Sequence, residues 1–332
     1  MRYKMYGYEI LHEDILDRLI KNIRRGISQH AYIFEGERGA GSFCAGRLFA
    51  NALVCEKKEV APCGTCSSCL LAKAGNHPDI SIITPQKDKK NIIVEQVREL
   101  LKDASKKPYE NAKKVYIIAY GDEMNEQAQN AFLKLLEEPP EYAVFIILAE
   151  NTESLLPTVR SRCEIIKFPP VSQDKIKEIL KTSYPDIKNV DFLARYSHGN
   201  IEKAKKLADD EEFMPLRSGA CEILTKLLSG NILESYDVAE FVELNKEDAE
   251  TILRLWVDFL RDIMLIQNSG EKYTINTDYK DKLINIANKA DEKTIIIAIE
   301  EIKKAQEMVK RYVNLRTAVL SMAFRIKKGA KR

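Results

Sequence analysis

Residues 31–43 read Ala31-Tyr32-Ile33-Phe34-Glu35-Gly36-Glu37-Arg38-Gly39-Ala40-Gly41-Ser42-Phe43. The apolar run Ala31 to Phe34 predicts a buried strand, and Ser42 to Val54 predicts a helix. The glycine-rich segment therefore joins a strand to a helix, which is where a phosphate loop belongs. In a working loop the glycines let backbone N–H groups surround a phosphate. A lysine then neutralises the outer phosphates, and the following Ser or Thr hydroxyl holds Mg²⁺. Here the frame Gly36, Gly39 and Gly41 is kept, but Ser42 stands at the lysine position and Phe43 at the hydroxyl position. Two readings stay open on this segment: an ordinary glycine-rich turn, or a phosphate loop without its charge-handling parts.

Working outward, further β-branched or apolar runs predict strands at 79–84, 114–120, 144–149 and 164–168, with helices at 14–25, 94–105 and 125–138. Pro139-Pro140 stops the last of these helices, because a residue before proline is pushed out of the α region. Strands alternating with helices imply a parallel sheet covered on both faces, which suits strands apolar along their whole length. A working ATPase ends the strand at 114–120 with a carboxylate for Mg²⁺. This one ends in Ala119 and Tyr120, and Asp122 and Glu123 fall in the loop beyond, where they are expected to cap the next helix. Pro169-Pro170 marks a boundary. After it only helices are predicted: short ones over 171–207, then longer ones at 221–228, 232–243, 246–268, 280–290, 293–312 and 315–328.

Composition agrees with a multi-domain globular protein. The chain has 332 residues, room for two or three domains, and 45% hydrophobic residues, enough for real cores. Lys and Arg total 52 against 50 Asp and Glu, a net charge of +2, so any nucleic-acid contact must come from a local patch. No apolar run approaches a membrane span, and the start MRYKMYGYEILHED lacks the apolar stretch of a secretory signal. An odd seven cysteines fits a reducing, cytoplasmic compartment.

Four of those cysteines, Cys55, Cys63, Cys66 and Cys69, lie close together. Four soft thiolates are what a closed tetrahedral zinc site requires, and Pro62-Cys63-Gly64-Thr65-Cys66 allows a tight knuckle. Cys66 and Cys69 are three apart and can share one face of a helical turn. With all four positions filled, no place remains for water, so the zinc is expected to be structural. Of the rest, Cys44 reads as packed in the helix after the glycine loop, and Cys221 as core.

His30-Ala31-Tyr32-Ile33-Phe34-Glu35-Gly36, Asn130 to Pro140 (NAFLKLLEEPP) and Ser161-Arg162-Cys163 occur in this order and spacing. In this the chain resembles the bacterial sliding-clamp loaders, which are AAA+ proteins. The resemblance implies an α/β AAA+ P-loop-type domain with a parallel sheet and a zinc insertion (residues 1–169, zinc module 55–69), a small helical lid (170–208) and an all-α collar for oligomerisation (209–332). The altered loop and the missing strand-end carboxylates point to a member that does not hydrolyse ATP and binds no ATP productively. The resemblance also assigns Arg162, with Ser161 beside it, as an arginine finger. Such a residue reaches across a subunit interface to the γ-phosphate of a neighbour's ATP, and its charged planar fork suits the task. Expected partners are ATP-hydrolysing gamma/tau-type subunits, a clamp-opening delta subunit and, through the hetero-oligomer, the sliding clamp and primed DNA. The chain would then be a non-catalytic, rigid subunit of a replicative DNA polymerase complex, a nucleotidyltransferase. Clamp-loader motors also carry a lid arginine after a Gly-Ser pair. The matching stretch is Gly199-Asn200-Ile201-Glu202-Lys203, where Glu202 takes the arginine position and Lys203 is the nearest cation.

Two rivals come from other classes: a gamma/tau-type ATPase, opposed by Ser42, Phe43, Ala119 and Tyr120, and a zinc module that binds nucleic acid by itself, opposed by the near-neutral charge. His77-Pro78-Asp79 reads as a turn entering a strand rather than a catalytic pair. Arg160 reads as a surface charge. Arg18, Lys21, Arg24 and Arg25 read as a solvated helix face with some capacity for DNA phosphates. Arg325, Lys327, Lys328, Lys331 and Arg332 form a basic end, either frayed or bound to an acidic partner. Trp256 reads as core or subunit interface.

Overall fold

In the computed structural model, residues 10–86, 91–109, 113–229 and 231–329 are described. The chain divides into two compact units, one comprising residues up to 176 together with 198–203, the other 177–197 and 204 onward.

The first unit is built on five strands: β1 (Ala31–Glu35), β2 (Ile80–Ile83), β3 (Lys114–Ile118), β4 (Ala143–Ala149) and β5 (Glu164–Lys167). Their order is β2-β3-β4-β1-β5 and every pairing is parallel, with Ile33 opposite Ile147 on one side and Ile165 on the other. This is the parallel α/β sheet expected from the sequence. Alternate residues serve opposite faces. Tyr32, Phe34, Val115, Ile117, Val144, Ile146 and Leu148 pack beneath α1 (Glu13–Arg24) and α2 (Ser42–Val54). Ile33, Tyr116, Ile118, Phe145 and Ile147 pack against α4 (Val94–Ala104) and α5 (Glu126–Glu137). Between α2 and β2 comes the cysteine insertion with the short helix α3 (Ser67–Ala74), and between β4 and β5 a single turn, α6 (Pro157–Arg160). Because β1 sits inside the sheet between β4 and β5, while the next strand in the chain, β2, lies at the far edge, its C-terminal end opens on the crevice where α/β sheets place ligands.

The remainder is helical. After α7 (Gln173–Ser183), α8 (Val190–Tyr196) and α9 (Ile201–Asp209), the second unit continues through α10 (Phe213–Ser229), α11 (Glu234–Leu244), α12 (Ala249–Gln267), α13 (Lys280–Ala287), α14 (Glu292–Lys310) and α15 (Leu315–Gly329). Its core is aliphatic, with Leu224, Val242, Leu253, Ile302, Val319 and Ile326 excluded from water. Trp256 belongs to this core: it is buried, and its indole N–H donates to Ala220 O at 2.8 Å. No helix among the described residues is long and apolar enough to cross a membrane.

Candidate functional site

The glycine loop joins β1 to α2 through two glycines in left-handed conformations, Gly39 and Gly41. Gly41 caps α2 with φ 101°, a left-handed conformation that glycine adopts without steric cost. A side chain there would also press within 2.9 Å of Leu11. Gly39, at φ 80°, lies so close to Asn200 that a Cβ would sit 2.2 Å from its Oδ1. Three bonds hold the loop from outside: Asn200 Nδ2 donates to Arg38 O (2.6 Å), Ile201 N–H to Gly39 O (3.1 Å), and His12 Nε2 meets Ala40 O (2.9 Å).

The loop, the ends of β3 and β4 and the start of α9 enclose a half-open cavity of about 320 Å³. Ser42, Phe43, Ala119 and Tyr120 all line it, so the four altered positions share one site. Among the described residues its charged lining is Asp122, Glu150 and Glu202 against a single cation, Arg38. Arg38 is already engaged. It meets Glu123 at 2.6 Å and Glu150 at 2.9 Å, and its guanidinium lies 4.4 Å from the centre of the Tyr120 ring. Burial opposes its charge, but Glu123, Glu150 and Asp122 outweigh that and raise its pKa above the ordinary value. A triphosphate entering here meets an excess of carboxylates, the reverse of what phosphate groups require.

This corrects one expectation. Asp122 and Glu123 do not cap α5. Asn125 does, with Oδ1 accepting the Ala128 N–H at 2.8 Å, because a cap must directly precede the first turn. Asp122 instead accepts the Glu150 N–H (3.4 Å) at the cavity wall. The lid-side position falls as expected: Glu202 lines the cavity, and Lys203 is not among the lining residues.

Arg162 lies elsewhere, just beyond α6, and does not line that cavity. Its side chain is 35% exposed. One N–H donates to Glu137 Oε1 at 2.9 Å and another to Thr158 O at 2.9 Å. Guanidinium carries five N–H donors in a plane. Three are thus left without a partner among the described residues. The segment is clamped to α5 by Gln129, a buried side chain whose amide donates to Met124 O and Ser154 O and whose carbonyl accepts the Leu156 N–H at 2.7 Å. Ser161 Oγ donates to Thr158 O, turned into its own helical turn. Arg160 is not the surface charge its type suggests: its Nε is buried, with no hydrogen-bond partner among the described residues. Burial pushes the neighbouring Cys163 thiol up to about 12, which disfavours its thiolate form.

The four clustered cysteines converge. Their sulfurs lie within 4.8 Å of one another, and Cys63 and Cys69 are 3.9 Å apart. A tetrahedral zinc with Zn–S bonds near 2.3 Å sets its sulfurs about 3.8 Å apart, so the arrangement fits such an ion closely. Cys66 is the N-cap of α3: its Sγ accepts the Cys69 N–H (3.4 Å), while its own N–H donates to Cys63 Sγ (3.3 Å). Burial pushes the Cys55 and Cys69 thiols up. At Cys63 burial acts the same way, but N–H donors from Thr65 and Cys66 overcome it and draw the thiol down to about 6.

The minor features resolve as follows. His77 and Asp79 are buried in a turn, where His77 Nδ1 accepts the Asp79 N–H and Asp79 Oδ1 the Tyr109 N–H. Arg24 donates to Ala61 O (2.9 Å), beside the cysteine knuckle, whereas Arg18, Lys21 and Arg25 are exposed. Arg325 pairs with Glu301, and the buried Lys327 donates to Lys226 O, so these two are internal braces; Lys331 and Arg332 lie outside the described residues. Sequence reading missed Arg38, Gln129 and Arg217. Arg217 is fully buried in the second unit, held by Asp278 (2.7 and 2.8 Å) and Asn276 (2.7 Å).

Comparison with known proteins gives a consistent answer. A family model described as "DNA polymerase III, delta subunit" matches residues 11–172. DNA polymerase III subunit delta' of Bacillus subtilis is 26% identical over 95% of this chain and 96% of its own length. The tau/gamma subunit of Haemophilus influenzae is 30% identical over 76% of this chain but only 37% of its own length. The delta' subunit of Yersinia pestis is 30% identical over 79% of this chain and 77% of its own length. With the altered phosphate loop, the LLEEPP and SRC segments and these relatives together, the chain belongs to the DNA polymerase III subunit delta' family.

Proposed function

We propose that this chain is the non-hydrolysing member of a clamp loader, an AAA+ assembly in which gamma/tau-type subunits hydrolyse ATP and a delta subunit opens the sliding clamp for loading onto primed DNA. One observation carries this reading. The cavity where a triphosphate would lie has Asp122, Glu150 and Glu202 in its wall and its single cation paired, while Arg162 stands outside it with N–H donors to offer. Arg162 then acts in trans as the arginine finger, meeting the negative charge that develops on a neighbour's γ-phosphate. Such a finger supplies roughly 10³–10⁵ in rate at the site it completes. The bonds from Asn200 and Ile201 onto the glycine loop support a rigid role, since they hold the loop with no nucleotide needed. Cys55, Cys63, Cys66 and Cys69 would hold a zinc ion, which supplies a cross-link and no reaction chemistry.

Similarity to a tau/gamma subunit keeps the ATPase reading as the competitor, and one pair of measurements separates the two. Mg-ATP titrated against the isolated chain is expected to show no binding in the micromolar range. In the reconstituted complex, Arg162→Ala is expected to lower ATPase activity by at least the share of the one site it serves. Micromolar binding with turnover by the isolated chain would establish the ATPase, and an unchanged rate for Arg162→Ala would remove the finger.

A further inference from the structure

We infer that Glu137, the second-last acidic residue before Pro139-Pro140, is a positioning residue for Arg162. The inference rests on the finger reading above and extends it to a residue that touches no nucleotide. The two most specific segments of the sequence, NAFLKLLEEPP and SRC, are 25 residues apart at this contact, yet they meet in one charge-assisted hydrogen bond, Arg162 to Glu137 Oε1 at 2.9 Å. Helix α5 grips the same segment at a second point two turns earlier, through two bonds of Gln129, to Ser154 O and from the Leu156 N–H. The base of the finger is thus fixed by Gln129 and its tip by Glu137.

The geometry sets the sign of the effect. Glu137 and Thr158 O take one N–H from each terminal nitrogen. An arginine has five donors, so those that remain still lie in the guanidinium plane, available to a phosphate. The contact therefore does not block the finger. It removes rotamer freedom from a long, partly exposed side chain before the partner's nucleotide arrives, and ordering of this kind otherwise counts against the transition state. Glu137 is itself 53% exposed, so its worth lies in orientation rather than in fold stability.

The test uses the reconstituted loader with clamp and primed DNA, and follows the hydrolysis phase that Arg162→Ala removes. Glu137→Ala is expected to slow that phase on the order of 3- to 30-fold, with KM for ATP unchanged and the melting temperature of the isolated chain close to that of the parent. Glu137→Gln keeps an acceptor oxygen and is expected to recover part of the rate. In an Arg162→Ala background, Glu137→Ala is expected to add nothing. If Arg162→Ala removes no phase, the finger reading itself falls. If it does, but Glu137→Ala matches the parent, speeds hydrolysis, or lowers the rate equally with and without Arg162, then the positioning role is overturned while the finger stands.

Discussion

The sheet unit holds two arginines against glutamates, and they are in opposite situations. Arg38 sits inside the phosphate-loop cavity between Glu123 and Glu150, with its face on Tyr120. Arg162 meets one carboxylate and one carbonyl at the surface. Exposure does not separate them, since the Arg38 side chain is 47% accessible and the Arg162 side chain 35%; the first is held between two carboxylates and the second by one. What separates them is the local count of carboxylates: the cavity wall carries Asp122 and Glu202 as well as Glu150, and Glu123 holds Arg38 from beside it. The loop therefore has a cation of the right type in the wrong electrostatic company.

The largest expected effect falls on neither arginine and serves as the control for both. Four thiolate ligands around zinc contribute an apparent stabilisation of roughly 10–16 kcal/mol in small zinc peptides. The knuckle here packs into the same core as α1 and α2. Metal analysis is expected to find one zinc per chain, and chelation to unfold the region around residues 55–74, seen as loss of its amide-exchange protection. Zinc-free protein with full protection would dissolve the site. The pH dependence has a definite sign. Burial keeps Cys55 and Cys69 protonated in the metal-free protein near neutrality, so zinc uptake must release protons. Affinity then falls as pH falls, and chelation should become faster on acidification.

Next in size is the direct contrast between the arginines. In the reconstituted complex, Arg162→Lys is expected to slow the site it serves by at least about 100-fold, because a lysine cannot present a planar fork. Arg38→Lys is expected to leave ATPase within about twofold of the parent, a change too small to count as transition-state chemistry. Equal losses would mean that the carboxylates around Arg38 do not set the two arginines apart.

How much of this was legible beforehand follows from how local each signal is. The strands are legible to within a residue or two because each is centred on a short apolar, β-branched run, and the cysteine cluster because its ligands lie within one short stretch. Helix α10 was entered late, at Cys221 instead of Phe213, because Pro215 and Gly219 mask its first turns. Proline is tolerated there, since the first N–H groups of a helix have no partner to lose. The predicted helix at 246–268 begins as a 3₁₀ turn, Lys246–Asp248, before α12. The roles of single charges were not legible. Arg38 meets Glu123 from 85 positions away, and Arg217 meets Asp278 from 61, so nothing in either neighbourhood marks them. Arg162 was identified only because its whole segment resembles a known family.

A repair experiment sharpens the contrast further. Ser42→Lys with Phe43→Thr restores the residue types that handle phosphate and magnesium. If lost residue types were the whole defect, the double variant would bind Mg-ATP in the micromolar range. The cavity's carboxylates predict otherwise: a Kd no better than on the order of 1 mM, improving only when Glu150→Gln and Glu202→Gln are added. Micromolar binding by the double variant alone would show that the acidic wall is irrelevant.

The smallest effect tests whether the pairing of Arg38 is structural at all. Its two ion pairs are largely exposed, with side-chain accessibilities of 47% for Arg38, 31% for Glu123 and 44% for Glu150. Pairs of this kind contribute about 0–1 kcal/mol each and weaken with salt. Arg38→Met keeps the apolar stem against Tyr120 but removes both pairs and the only cation that the described residues place in the cavity lining. Its melting temperature is expected to fall by about 1–4 °C in low salt and by less in high salt. An increase would carry the opposite lesson: that Arg38 is a remnant of phosphate binding held at a cost, and that the loop's rigidity comes from His12, Asn200 and Ile201 without it.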